Sequence, residues 1–228
     1  MNALLVEDHA LFREGLALLM RQRYPAVVLH QAANLAQAQA LLARHADIDL
    51  VLLDLHRSDS TGLASLKELR RQAPELTIVV LSADSGPETV DAVIAAGGSG
   101  FIPKTARGRV IEQALGVVLD GGVYLPTDVL HAARLRGQAW RGQLGATGEF
   151  ADYAAAVQDV YDLSPRQHDV LRGLIESKSN KAIARDLGIA DSSVKSHLQI
   201  IFKKLGVASR AEAMLTAMRL GLATNDPD

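Results

Sequence analysis

The stretch Asp49–Leu63, "DLVLLDLHRSDSTGL", decides how the first half of the chain is read. Leu50 to Leu53 form a short apolar run, Asp54 ends it, and a polar loop follows that closes at Gly62. A run of that length bounded by turn residues predicts a buried strand. A carboxylate at the end of a buried strand has two readings. It can organise a turn, or it can be a reactive group at the carboxyl edge of a parallel sheet, where open α/β sheets bind their ligands.

Outward from this strand, apolar runs recur at Ala3–Val6, Val27–Gln31, Ile78–Leu81 and Gly100–Ile102. Amphipathic stretches alternate with them at Ala10–Gln22, Leu35–Arg44, Leu63–Gln72, Glu88–Ala96 and Arg107–Leu119. This alternation over residues 1–120 predicts an α/β domain: a doubly wound, five-stranded parallel sheet with helices on both faces and right-handed crossovers. At its carboxyl edge such a sheet collects Glu7 and Asp8 after the first strand, Asp54 after the third, Ser82 after the fourth and Lys104 after the fifth. Clustered carboxylates invite a hard, oxygen-preferring cation such as Mg2+. A lysine and a hydroxyl beside them can neutralise and hydrogen-bond an anion. An Asp carboxylate can itself act as a nucleophile and carry a phosphoryl group, a reaction that depends mostly on positioning and charge neutralisation.

Residues 121–162 break the rhythm. "GGVYLPTD" opens the segment and "RGQAWRGQLGATGEF" is Gly-rich and weakly periodic, which predicts a linker with short helices near Thr127–Leu135 and Phe150–Tyr161. From residue 163 to 228 the pattern is purely helical and predicts a second, all-α domain of four helices. Ser164 stands as N-cap, with Pro165 at the first helical position and Gln167 at the capping-box position. A short helix from Ser179 stops at Gly188, a third is capped by Asp191 or Ser192 and stops at Gly206, and a fourth runs over Arg210–Leu220 behind Ser209. Two helices joined by "DLGIADSS" have the spacing of a helix-turn-helix.

Charge separates the halves. The formal net charge is only −2, but residues 1–120 carry 11 Lys/Arg against 14 Asp/Glu while residues 164–219 carry 10 against 5. A basic unit of this size suits a phosphate backbone. Along the third helix of that unit, Val194, Leu198, Ile201 and Leu205 share a core-facing stripe. Lys195, Gln199 and Lys203 share another face, with Ser196 beside them. Lys and Gln are donors that can read guanine and adenine in the major groove. The chain contains no Cys, so disulfide frameworks and thiolate metal sites are excluded. No apolar run approaches membrane-spanning length and the N-terminus lacks a basic lead, so the expected location is the cytoplasm.

Residues 1–120, through "VEDHALFREGL", "LLDL…GL", "VVLSA" and "AGGSGFIPK", resemble the receiver domain of two-component response regulators. Residues 163–217, through "LSPRQHDVL", "SNKAIARDLGIADSSVKSHL" and "IFKKLGVASRAEA", resemble the LuxR-type helix-turn-helix. The whole chain is similar to the NarL/LuxR (FixJ) class. The resemblance implies a flavodoxin-like receiver in which Asp54 accepts a phosphoryl group from a sensor histidine kinase. It implies Mg2+ held by Glu7, Asp8, Asp54 and the His56 backbone carbonyl. Lys104 would pair with the phosphoryl group, and Ser82 and Phe101 would form the switch.

In the second domain the same resemblance sends the helix Ser192–Leu205 into the major groove of double-stranded DNA. Lys195, Ser196 and Gln199 would meet base edges, while Asn180, Lys181, Ser193, Lys203 and Arg210 would meet phosphates. Phosphorylation would control dimerisation and DNA binding, and the chain would be a regulator rather than an enzyme. A phosphatase using Asp54 would typically carry a second Asp two residues on, where His56 stands. One departure from the family pattern, Arg57–Ser58 in place of a Met-Pro pair, keeps an alternative open: a DNA-binding regulator whose receiver is not controlled by phosphate.

Overall fold

The computed structural model describes residues 1–57, 60–73, 76–144, 161 and 163–220. Met1–Leu119 form one compact unit and Asp120 onward a second.

The first unit is built on five parallel strands: β1 (Asn2–Val6), β2 (Val28–Ala32), β3 (Ile48–Asp54), β6 (Thr77–Ser82) and β7 (Gly100–Pro103). Between β3 and β6 lie two short strands, β4 (His56–Arg57) and β5 (Ser60–Thr61), paired antiparallel. The helices are α1 (Ala10–Arg23), α2 (Leu35–Arg44), α3 (Gly62–Gln72), α4 (Pro87–Ala95) and α5 (Gly108–Leu119). The large sheet has the order β2-β1-β3-β6-β7. The chain therefore steps to one side of β1 and then returns to its other side. That reversal opens a crevice between the carboxyl ends of β1 and β3.

The apolar runs do what their length and composition dictate. Leu4, Leu5, Leu50, Leu52, Leu53, Ile78, Leu81, Phe101 and Ile102 are fully buried. Strands covered on both faces read as continuous aliphatic runs, whereas the edge strand β2 is largely exposed at Val28 and Gln31. The sheet is thus the predicted doubly wound flavodoxin-like one, with element ends shifted by one or two residues.

The β4–β5 hairpin is an addition. It folds the chain back so tightly that a Cβ on Gly62 would lie 1.8 Å from the Leu55 carbonyl oxygen. Only glycine lets α3 start there, which explains why the polar loop after Asp54 closes on that residue.

The second unit contains α6 (Thr127–Leu144), α7 (Pro165–Ile175), α8 (Asn180–Leu187), α9 (Asp191–Leu205) and α10 (Arg210–Arg219). Helix α6 runs well past the expected end at Leu135, through Gly137 and Gly142, and packs against α10. Of the second expected linker helix, Phe150–Tyr161, only Tyr161 lies among the described residues.

The Ser164 capping box is complete, with the Gln167 side chain accepting from the Ser164 amide and the Ser164 hydroxyl accepting from Gln167. Gly188 and Gly206 end α8 and α9 with φ of 64° and 67°, the left-handed conformation that glycine adopts freely. The start of α9 differs from the sequence expectation. Its N-cap is Ala190, which has no side-chain cap, and neither Asp191 nor Ser192 fills that position. Asp191 is already helical and lies 3.4 Å from Lys195 Nζ one turn on. Ala213, Leu215 and Met218 of α10 are buried within the chain's own core.

Candidate functional site

Three carboxylates meet at the crevice between β1 and β3. Glu7 and Asp8 follow β1 and Asp54 ends β3, and each offers an oxygen within 4.8 Å of the others. Glu7 and Asp54 are fully buried, while Asp8 is partly exposed. Two anions in a low-dielectric sheet edge are costly unless paired. Lys104 answers both: its Nζ lies 2.6 Å from Glu7 Oε2 and 2.8 Å from Asp54 Oδ1. The lysine is delivered by the backbone, since its amide donates to the Ser82 carbonyl at 2.8 Å and extends the β6–β7 ladder by one bond.

Burial pushes the Glu7 carboxyl above its ordinary range, Lys104 pulls it back, and the Asp54 charge pushes it up again. The His9 amide donates to Glu7 Oε1 at 3.1 Å, which fixes that side chain beneath the loop.

Two residues without an assigned role in the sequence reading complete the frame. Arg13 donates from Nη1 to the Glu7 carbonyl at 2.7 Å and to the Asp8 carbonyl at 3.5 Å, so α1 clamps the acidic loop from outside. Phe12 places its ring 4.9 Å from Lys104 Nζ, within cation–π range. Both lie in the "HALFREGL" stretch, one turn beyond Asp8, where the first turn of a helix points back at the strand it follows.

Ser82 and Phe101 are fully buried. The Ser82 hydroxyl accepts from the Asp84 amide at 3.2 Å. Asp84 shapes the next loop, accepting from Gly86 at 3.0 Å and from Thr89 Oγ1 at 2.6 Å. His56 opens β4, with its backbone two residues past Asp54. Ser58 lies outside the described residues.

In the second unit the sequence-derived faces are real faces. Val194, Leu198, Ile201 and Leu205 are buried; Lys195, Ser196, Gln199 and Lys203 are exposed on α9, and Ser193 is half-buried. Ser196 spends its hydroxyl proton on the Ser192 carbonyl at 3.1 Å, which leaves its oxygen to accept. Lys181 is exposed on α8.

Asn180 and Arg210 are tied together. Arg210 Nη1 donates to Asn180 Oδ1 at 2.7 Å and its Nη2 donates to the Lys178 carbonyl. Burial lowers the Arg210 pKa to about 10, so the guanidinium stays charged at neutral pH.

Comparison with known proteins gives the class. The profile of the response regulator receiver domain matches residues 3–116. That of bacterial regulatory proteins of the luxR family matches residues 162–217. The chain belongs to the LuxR-type response regulators of two-component transcription regulation.

Its relatives place it within that class. The glycerol metabolism activator of Pseudomonas putida is 35% identical over 214 residues, covering 94% of this chain and 93% of that protein. The nitrate/nitrite response regulator protein NarL of Escherichia coli (strain K12) is 33% identical over 213 residues, covering 92% and 91%. Among solved structures, a LuxR-family two-component response regulator from Aurantimonas sp. SI85-9A1 aligns with a TM-score of 0.51 at 25% identity, covering 57% of this chain and 92% of that one. No helix among the described residues is long and apolar enough to cross a membrane.

Proposed function

We propose that this response regulator is switched by phosphorylation of Asp54 and that the switch controls its binding to double-stranded DNA. The observation that carries the reading is Lys104 seated between Glu7 and Asp54 at the sheet's crevice. The Asp54 carboxylate attacks the phosphorus of a phosphohistidine on a sensor kinase. The P–N bond breaks and the leaving imidazole nitrogen takes up a proton.

Glu7, Asp8, Asp54 and the His56 carbonyl would hold Mg2+. The fit is chemical: all are hard oxygen donors, and the carboxylate oxygens are close enough to share one small cation. Bound there, the ion supplies neutralisation of the phosphoryl charge. Lys104 then leaves Asp54 for a phosphoryl oxygen, the Ser82 hydroxyl turns toward the same group, and Phe101 fills the space that the hydroxyl vacates.

On the DNA side, Lys195, Ser196 and Gln199 read base edges from α9 in the major groove. Lys181, Ser193 and Lys203 meet phosphates. The hydrogen bond between Arg210 and Asn180 supports a change from the expected phosphate contacts to a positioning pair that holds the start of α8 toward the backbone. A dimer spans two half-sites about one helical turn apart, and the protein works in the cytoplasm as a regulator.

The test is DNA binding against a pool of genomic fragments, with and without a small phosphodonor plus Mg2+, for the wild type and Asp54→Asn. Binding strengthened only in the wild type supports the reading. Equal binding by both proteins under both conditions removes phosphate control, keeps the DNA reading, and points to the Arg57–Ser58 loop.

A further inference from the structure

Helix α9 keeps one large aliphatic side chain in water. Ile200 is 42% exposed, although Ile201 beside it is fully buried. Single exposed aliphatics are ordinary on protein surfaces, so exposure alone carries nothing; the place does. Ser196 precedes Ile200 by one turn, Gln199 adjoins it and Lys203 follows within the next turn, all exposed. At 3.6 residues per turn, Ser192, Ser196 and Ile200 form one row along the outer face, and Lys195, Gln199 and Lys203 form the row beside it. One row is donors throughout. The other begins in hydroxyls and ends in a hydrocarbon. The core contacts of this helix are already supplied by Val194, Leu198, Ile201 and Leu205, so Ile200 is not needed to seat it.

We infer that Ile200 is a specificity residue that packs on the C5-methyl group of a thymine in the major groove. This rests on the reading of α9 as the helix that enters that groove. Thymine is the base that presents a hydrocarbon there, and apolar side chains recognise it by contact. Isoleucine neither donates nor accepts, so it discriminates by shape and desolvation alone. Its branch at Cβ leaves one preferred χ1 in a helix, which presents the side chain with little further ordering cost. The base read by Ile200 neighbours those read by Ser196 and Gln199, because the residues are neighbours on the helix.

The test uses the tightest-binding duplex selected from a random oligonucleotide pool by the full-length protein with the small phosphodonor and Mg2+ present. Each thymine is replaced in turn by deoxyuridine, which removes only the methyl group. The wild type should lose about fourfold in affinity at one or two positions, the scale of one buried methyl. Ile200→Ala should bind the parent duplex more weakly and be indifferent to the methyl at those same positions. Ile200→Val, which keeps the branch, should retain part of the sensitivity.

If no thymine is methyl-sensitive in the wild type, or if Ile200→Ala keeps the same sensitivity, the assignment is overturned while DNA binding stands. If the wild type selects no duplex, the reading of α9 falls and the assignment with it. Circular dichroism of Ile200→Ala checks that α9 is intact, as its exposed position and the high helix propensity of alanine require.

Discussion

Glu7, Asp54 and Lys104 are withdrawn from water, whereas Lys195, Gln199 and Lys203 stand in it. The two units therefore hold the charges of their candidate sites under different physical regimes. In the receiver, desolvation makes every charge depend on its partner, so a change at one group must be answered by the others. On α9 the charges are solvated and screened; they cost the fold little and remain available to an outside polyanion. A buried, interdependent cluster suits a switch, and a solvated stripe suits a docking face.

The contrast is broken most severely at Lys104. Lys104→Met leaves Glu7 and Asp54 buried without their cation and should destabilise the receiver by about 3 kcal/mol. Hydrogen exchange at the β1 and β3 amides in the full-length protein measures this locally. Added Mg2+ should recover more stability in the variant than in the wild type, because the ion replaces a missing charge. Unchanged exchange in the variant would mean that the carboxylates do not depend on Lys104.

Arg210 sharpens the comparison because it is a cation of the second unit that is turned inward. Arg210→Met should cost about 2 kcal/mol, the loss of charged hydrogen bonds to Asn180 and the Lys178 carbonyl. The salt dependence of DNA binding should stay as it was. A salt slope lowered by about one unit would instead make Arg210 a phosphate contact.

Lys203→Ala is the opposite case. Unfolding should move by less than about 0.5 kcal/mol, as for an ordinary surface site. Affinity should fall evenly across DNA sequences, with the slope of log K against log salt reduced by about one. Equal loss on all sequences separates it from Lys195→Ala, which should also relax base preference.

The legible parts of the molecule follow from the same contrast. Long periodic stretches announced themselves: all five sheet strands and α1 to α5 lie within one or two residues of where alternating apolar runs put them. Glu7, Asp8, Asp54 and Lys104 were visible because polar residues end otherwise apolar strands, and the topology then brings them to one crevice. Two-residue strands carry no periodicity, so the β4–β5 hairpin was not legible. Its trace in the sequence is Gly62, whose reason appears only when the Leu55 carbonyl is seen against it.

Arg13 and Phe12 were missed because their contacts, a backbone carbonyl and an ammonium, depend on how α1 crosses the loop. Helix α6 was cut short at its glycines; packing against α10 offsets the roughly 1 kcal/mol that each glycine costs relative to alanine. The α9 cap was misplaced because the helix begins one residue early, behind Ala190, and takes Asp191 and Ser192 into its first turn.

Two smaller effects concern the turn and helix that support α9. Ser177 has a φ of 57°, the left-handed region that a residue with a Cβ adopts at a cost. Ser177→Gly should stabilise the second unit by up to about 1 kcal/mol in urea unfolding. That gain is reduced by losing the hydroxyl's 3.6 Å contact with Met214 Sδ. A loss of stability would show that this contact outweighs the backbone term.

The smallest effect is one of pH. His168 sits on α7 with its Nε2 buried and without a hydrogen-bond partner among the described residues. Burial lowers its pKa below the ordinary imidazole value, Arg172 one turn on lowers it further, and Asp169 partly opposes them. In the unfolded chain the imidazole takes up its proton near its ordinary value, about 6.5; in the folded unit it does so only at lower pH. Between those two values the unfolded state binds more protons, so stability is full above the unfolded pKa and declines as pH falls toward the folded one. Urea unfolding of the second unit's transition at pH 7.5 and 5.5 should show this decline in the wild type and a smaller one in His168→Gln. An equal decline in both would assign the acid sensitivity elsewhere. A decline confined to the wild type would make His168, like Arg210, a group of this unit that shares the receiver's regime, a titratable side chain whose charge the fold resists.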